Sequence, residues 1–299
     1  MLLPATQHDP RHATLDDAAF GAAPSLAAAE LPAAVDAHSR WLRAVLLGGQ
    51  GRYAAARTEL RVLRTRSADP VALSLAASTQ GSWTRQLGWH AEAAVLDGRA
   101  VALLAPRVPR ADAAQDPERS PLDRAGTHPV RRMPSRDEAL CDALTGLAAD
   151  ALGTGRLTLA QRLLERASVE TLRLDHWRTT IRWHWVSAET AFAQGRAVVA
   201  MTHAEAALGV AETAPSVRHR VKSLLLVAAA AAVAGDGDRC RALAATVDQH
   251  CREHGLLPLR WACAMLRAGM DVPGAEAESR TYAGAISSRG GRFRADIGG

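Results

Sequence analysis

The sequence predicts an all-α protein built from stacked helical hairpins, and three observations support this prediction. The chain is rich in alanine, which favours helix, and only 4% of its residues are aromatic, so the enrichment typical of sheet proteins is missing. A short motif that begins with glycine recurs about every 40 residues, apart from one longer step, and this is a period of helical repeats. Between Ser135 and Leu256 the only proline is Pro215, so long helices can form there.

The recurring motif marks the turn of each predicted hairpin. Its glycine can take the left-handed backbone conformation that ends a helix. In the clearest copies a small or apolar residue follows at +2, alanine at +5, an apolar residue at +9 and alanine at +12. The alanine at +5 lets the next helix approach its neighbour closely. Asp97 breaks the pattern at the +9 position of the second copy, where the adjacent Leu96 could serve instead. The motif glycines are Gly51, Gly88, Gly155, Gly195 and Gly235.

The first copy identifies a family that the chain resembles. Gly51-Arg52-Tyr53-Ala54-Ala55-Ala56, continuing to Pro70, is similar to the signature of the tetratricopeptide-repeat (TPR) family. The resemblance covers roughly residues 31 to 268, apart from a proline-rich stretch. It implies a right-handed superhelix (an α-solenoid) of about five hairpins, in which the first helix of each repeat lines a concave groove. One hairpin cannot bury its apolar face alone, so stacking supplies the core.

The sequence divides into five predicted segments around this repeat region. Prolines crowd the stretch before Ser135, which predicts a linker because that density is incompatible with helix or strand. Ser135 and Glu138 then form the pattern of a helix-capping box. The predicted segments are a flexible N-terminal arm (1–30), helical repeats 1 and 2 (31–106), the proline-rich linker (107–134), repeats 3 to 5 with a C-terminal helix (135–268), and a flexible tail (269–299).

The resemblance also implies where a partner would bind. Counting back from the turn glycines places one stripe of aromatic and charged residues on the groove side of the first helices. Such residues dominate interface energetics and suit a peptide or a partner helix. The alternative for each tryptophan is that it packs between repeats. The predicted groove residues are His38, Trp41, Arg182, Trp185, Glu189 and Phe192.

Basic residues give a second candidate function. The cluster Arg218, His219, Arg220 and Lys222, together with the arginines of residues 289–294, could hold phosphates or RNA. Such residues more often form solvated surface. A nucleic-acid-linked regulator is therefore the alternative to a protein-binding module.

One short motif resembles a metal site. His250-Cys251-Arg252-Glu253-His254 matches the H-x-x-E-H pattern of some zinc hydrolases, and its two histidines share a helix face. A third ligand would have to come from Glu276 or Glu278 in the predicted tail. The alternative to a metal site is that the two histidines are exposed near a helix end, where the helix dipole favours them.

The remaining features limit the classes of function. The net charge of +5 is mild for 299 residues and does not demand a nucleic-acid partner. The four cysteines show no metal-binding or disulfide spacing, and the first residues do not resemble a signal peptide. No phosphate loop or nucleophile elbow is visible. We therefore predict a cytoplasmic, non-catalytic scaffold or regulator without a cofactor, which binds a protein or peptide partner and does not enter a membrane.

Overall fold

The computed structural model describes residues 10–105 and 133–295. Within these ranges the protein consists of helices and their connections, and it contains no strand. The helices are α1 (Pro10–Phe20), α2 (Ala37–Gly49), α3 (Tyr53–Arg66), α4 (Pro70–Gln86), α5 (His90–Leu103), α6 (Arg136–Gly153), α7 (Leu157–Leu174), α8 (Trp177–Ala193), α9 (Ala197–Thr213), α10 (Val217–Val233), α11 (Gly237–Glu253), α12 (Leu257–Ala268) and α13 (Ala275–Ser288).

After α1 the helices pair into hairpins that stack one on the next. The pairs are α2/α3, α4/α5, α6/α7, α8/α9, α10/α11 and α12/α13. Five of them are the hairpins that the sequence predicts, and the sixth lies at the C-terminal end. The all-α superhelical fold predicted from the repeats is thereby confirmed.

The five motif glycines all lie in left-handed turns between the two helices of a hairpin, with φ between +70° and +91°. At Gly155 the amide N–H donates to Leu152 O at 2.9 Å, and the N–H of Arg156 donates to Ala151 O at 2.8 Å. This is the Schellman arrangement, which satisfies carbonyl groups at the end of α6. The glycine therefore stops one helix and aims the chain into the next.

The motif positions after each glycine form the contact between helices. In the third and fourth hairpins Ala160, Ala167, Ala200 and Ala207 are completely buried. Asp97, which breaks the motif at +9, is completely buried as well. Leu96, which could have served there, is only partly buried, because Asp97 finds an ionic partner inside the stack, as described below.

The predicted capping box at the start of α6 is confirmed. Ser135 Oγ accepts a hydrogen bond from the Glu138 amide at 3.2 Å, and Glu138 Oε2 accepts one from the Ser135 amide at 2.6 Å. The two groups satisfy each other's backbone donors at the N-terminus of α6. Helix α6 then packs directly against α4 and α5. The stack is therefore continuous across the predicted linker, of which residues 107–132 lie outside the described residues.

The two ends of the repeat region differ from the predicted flexible arm and tail. Helix α1 packs on α2 and buries Leu15, Ala18 and Ala19 in the largest apolar cluster. At the other end α13 packs along α12. Helices α1 and α13 form within these segments because their apolar residues find partners that local composition does not reveal.

Residues 289–294, which we call the C-terminal strap, connect the last hairpin to the first two. The Ala54 amide donates to Arg289 O at 3.0 Å, and the Arg294 amide donates to Leu87 O at 2.9 Å. On the opposite side, the amide of Val217 at the start of α10 donates to Gly21 O, just after α1, at 3.2 Å. These contacts close the superhelix into a ring around a central space.

Replacing two glycines by alanine should change the stability of the protein in opposite directions, because only one of them lies in a left-handed turn. Gly155→Ala should lower the free energy of unfolding by about 1 to 2 kcal/mol, because a Cβ penalises the left-handed conformation even where no atom obstructs it. Gly209→Ala, within α9, should raise it by about 0.5 to 1 kcal/mol, because glycine destabilises a helix interior. Urea unfolding of both variants measures this, and equal effects would contradict the assigned role of Gly155.

Candidate functional site

The centre of the ring contains a cavity of about 320 Å³. Its walls come mainly from the first helices of the pairs, namely α2, α4, α6, α8, α10 and α12. Trp83 forms one wall and fits there because Gly48 lacks a Cβ, which would lie 2.2 Å from Trp83 Nε1. Helices that are distant in sequence thus contribute to one concave site.

Three of the six predicted groove residues line this cavity. They are Arg182, Trp185 and Glu189, which follow one another on the inner face of α8. The Trp185 side chain is 7% exposed, and its Nε1–H donates to Ser223 Oγ at 2.9 Å. Trp185 therefore packs between the fourth and fifth hairpins and presents part of its ring to the cavity.

The other three predicted groove residues do not line the central cavity. Trp41 is 3% exposed and lies 5.4 Å, between ring centres, from Phe20 of α1. Trp41 lines a smaller cavity of about 60 Å³, which shares Arg182 and Arg218 with the central one. His38 stacks on His12, with ring centres 5.3 Å apart, and Phe192 packs against the apolar cluster formed by α8, α9 and α10. Helix α1 thus covers His38 through His12 and Trp41 through Phe20.

The basic cluster of α10 faces inwards. Arg218, His219 and Lys222 line the cavity, although clusters of this kind are more often solvated surface. His219 is 3% exposed and stacks on Trp185, with ring centres 5.2 Å apart. Burial, and then the neighbouring cations, hold the pKa of His219 well below its usual range, so the ring stays neutral. The start of α10 is buried because it meets α1 across the ring.

Arg85 on the wall of the cavity ties three helices together. Its Nη1 lies 3.0 Å from Asp97 Oδ2 on α5 and 2.5 Å from Asp150 Oδ1 on α6, and both carboxylates are completely buried. A Cβ on Gly81 or Gly146 would lie within 3 Å of Asp97 Oδ2, so these glycines make room for the group. The arrangement explains why an aspartate occupies an apolar motif position.

A second ion-pair group lies beside the first. Asp142 of α6 binds Arg178, and its Oδ1 lies 3.0 Å from Arg182 Nε. Burial alone would raise the pKa of Asp142, but the two arginines outweigh it and lower that pKa. Glu189 Oε1 lies 3.6 Å from Lys222 Nζ. Arg182 and Lys222 therefore both have an acidic partner.

Arg218 differs from the other cations of the cavity. No carboxylate among the described residues lies within ion-pair distance of its guanidinium group. The group has only a long hydrogen bond of 3.5 Å to Val45 O and stands 5.9 Å from the centre of the Phe20 ring. Burial, with Arg182 and Arg178 nearby, lowers the pKa of Arg218 to about 10. An uncompensated positive charge therefore lies at the edge of the cavity.

An apolar chamber of about 280 Å³ adjoins the cavity. The two spaces share Gln86, Glu189 and Lys222 in their walls. Leu225 and Trp261 belong to the further side of the chamber. The C-terminal strap contributes Phe293, whose ring centre lies 4.9 Å from that of Trp261. The site thus has a charged part and an apolar part in contact with each other.

The H-x-x-E-H motif lies outside this site, at the C-terminal end of α11. Candidate ligand atoms of His250, Glu253 and His254 lie within 4.8 Å of one another. Glu276 and Glu278 instead bind Arg280 and Arg267, so neither completes the set. No helix of the described part of the chain has both the length and the apolarity needed to cross a bilayer.

Asp97 should give the protein a characteristic pH dependence. Burial and the nearby Asp150 raise the pKa of Asp97 to about 7, although Arg85 opposes the shift. The folded state therefore holds a proton that the unfolded state releases near pH 4, and stability is lost as the pH rises towards 7. Relative to Asp97→Asn, the wild type should lose free energy of unfolding between pH 5 and pH 8, as measured by urea unfolding. A pH-independent difference between the two proteins would contradict this.

Comparison with known proteins shows which solved structures have a similar fold. No protein-family model matches the sequence, and no curated protein is significantly similar to it. Among solved structures, aspartyl phosphate phosphatase F from Bacillus subtilis has a TM-score of 0.51 and 10% identity over 85% of this chain, which spans 60% of that protein. A Rap protein complexed with competence and sporulation factor has a TM-score of 0.53 and 9% identity over 88% of this chain and 71% of its own. At such identities the similarity concerns the fold, and the chain has the fold of the TPR-like superhelical proteins.

Proposed function

We propose that this protein is a non-catalytic regulator or scaffold that binds a protein or peptide partner in its central cavity. The observation that carries the proposal is the convergence of Arg182, Trp185 and Glu189 with Trp83 and Lys222 on one concave space. Aromatic and charged groups of this kind provide most of the binding energy in protein interfaces. Scaffold helices hold them in place, so the site is preorganised.

The two adjoining spaces of the site suit an extended segment. The cavity and the apolar chamber share Gln86, Glu189 and Lys222 in their walls, and one part is charged while the other is apolar. An extended segment can place different side chains in the two parts. We therefore propose that the occupant is a short extended peptide or a protruding loop of a partner.

The solved structures of similar fold support a regulatory binding role. One of them is a Rap protein complexed with competence and sporulation factor. Because unrelated functions share folds, this support is an analogy and the argument rests on the site itself. We place the protein in the cytoplasm, as the sequence predicts.

The reactive side chains of the described residues support a non-catalytic role. All four thiols are buried, and burial raises the pKa of Cys141 and of Cys263 to about 12, so they stay protonated. The closest Ser–His contact joins Ser216 Oγ to His219 Nδ1 at 2.7 Å, but Ser216 is completely buried. Neither the buried thiols nor the Ser216 hydroxyl is placed to attack a bound partner.

The structure gives less support to a nucleic-acid regulator. Three of the four basic residues of α10 face the cavity and cannot contact a duplex or an RNA strand from outside. In the strap, Arg289 Nη1 donates to Gln50 O at 3.1 Å, and the guanidinium of Arg292 lies 5.5 Å from the Trp89 ring centre. The protein-binding function is therefore the one we propose.

Filling the cavity should abolish partner binding. Ser82 of α4 lines the cavity, and Ser82→Phe would occupy the space of the partner. Ser168→Phe on α7, outside the cavity, is the matched control because it adds the same group on the outer side of the stack. Pull-down from the native cell followed by mass spectrometry should recover a partner with wild type and Ser168→Phe but not with Ser82→Phe.

The comparison of Ser82→Phe with Ser168→Phe is valid only if both variants are folded. Circular dichroism and thermal melting serve as the check. Equal recovery of the partner by both folded variants would show that it binds elsewhere, and the proposal that the cavity holds the partner would then be wrong.

A further inference from the structure

We infer that the central cavity recognises an anionic group, bound by Arg218, at the end of an apolar body that extends into the adjoining chamber. The inference deepens the proposed function by naming the chemistry of the occupant. A carboxylate fits this description, whether it belongs to a peptide C-terminus or to a small amphipathic acid. The argument rests on the charges of the cavity, on its aromatic walls and on the chamber beside it.

The charges of the cavity do not balance. Four cations line it, namely Arg85, Arg182, Arg218 and Lys222, whereas Glu189 is the only carboxylate among the described lining residues. Buried carboxylates behind the wall compensate Arg85 and Arg182, and Glu189 compensates Lys222. Arg218 is left over. An enclosed charge without a partner is costly, and a bound anion would remove that cost.

The geometry of the guanidinium group suits an anion. A planar guanidinium presents several N–H donors and can bind a carboxylate through two parallel hydrogen bonds. In Arg218 the only hydrogen bond to a described residue is the 3.5 Å contact with Val45 O. Donors therefore remain for a ligand. His219 next to it is neutral and therefore does not compete with Arg218 for the anion.

The surroundings of Arg218 determine what accompanies the anion. The cavity offers flat aromatic walls at Trp83 and Trp185, and the chamber beyond Lys222 is apolar, with Leu225 and Trp261 in its walls. A free phosphate or acetate would leave this apolar space unfilled. A ligand with an anionic group at one end and an apolar body would fill both parts.

A pair of dyes separates the anionic contribution from the apolar one. 1-Anilinonaphthalene-8-sulfonate carries a sulfonate, and N-phenyl-1-naphthylamine has the same rings without it. Fluorescence titration of the full chain should show that wild type binds the sulfonate dye at least about tenfold more tightly, which is the effect of a charge-assisted hydrogen bond. Equal affinity for the two dyes would overturn the inference.

Substitutions at two positions of α10 localise the effect. Arg218→Gln should remove the preference for the sulfonate dye and leave binding of the neutral dye unchanged. Arg220→Gln removes the same charge from α10 at a position outside the cavity and should leave both affinities unchanged. Arg218→Lys should restore part of the preference, and thermal melting confirms that each variant is folded. Equal losses in Arg218→Gln and Arg220→Gln would overturn the assignment to Arg218.

Competition against the bound sulfonate dye distinguishes the two sources of a carboxylate. One arm compares decanoate with decanol, and the other compares a free-acid Leu-Leu-Leu peptide with its C-terminal amide. Displacement by either acid but not by its neutral counterpart supports the inference and identifies the source. Equal competition by acid and neutral forms, or no competition by any of them, overturns it. Either outcome is independent of the pull-down, so failure of the anion site and failure of the partner-binding function can be told apart.

Discussion

The whole structure depends on the close approach of helices that no single hairpin could stabilise. A glycine such as Gly155 turns the chain sharply, and a small residue such as Ala160 then lets the next helix lie close to its neighbour. The resulting hairpin has apolar groups on both sides, and only the next hairpin covers them. Stacking follows from this constraint, and the curvature of the stack brings its first helices to face one another.

The buried ion pair at Arg85 shows how the stack tolerates interruption of the sequence repeat. The chain leaves the second hairpin after Leu103 and enters the third at Arg136, far along the sequence. Asp97 and Asp150 nevertheless meet on one arginine, which fixes α4, α5 and α6 relative to each other. Buried ion pairs often add little net stability, because desolvation offsets their attraction. Here the arrangement that they specify includes the wall of the cavity.

The sequence predicted the fold well because turns and small residues are local signals. The periodicity of the sequence was enough to identify the five motif glycines. Three of the six predicted groove residues, Arg182, Trp185 and Glu189, line the central cavity because they share one helix face. The rest depended on contacts between segments distant in sequence. Helix α1 covers Trp41, and no local pattern shows that Phe20 will lie there. The room for Asp97 was not predicted either, because it comes from Gly81 and Gly146 on two other helices.

Closure of the ring decides the character of the site. In an open superhelix the basic residues at the start of α10 would meet solvent, and their charges would be screened within about 10 Å at moderate salt. Here α1 and the C-terminal strap join the two ends, so the same residues line the central cavity and are partly shielded from solvent. Electrostatic interactions in such a space are stronger than at a surface. The net charge of the whole chain is modest, but positive charge is concentrated at this cavity, where Arg218 has no counterion among the described residues. This local imbalance is the physical basis for the preference that we infer for an anionic group.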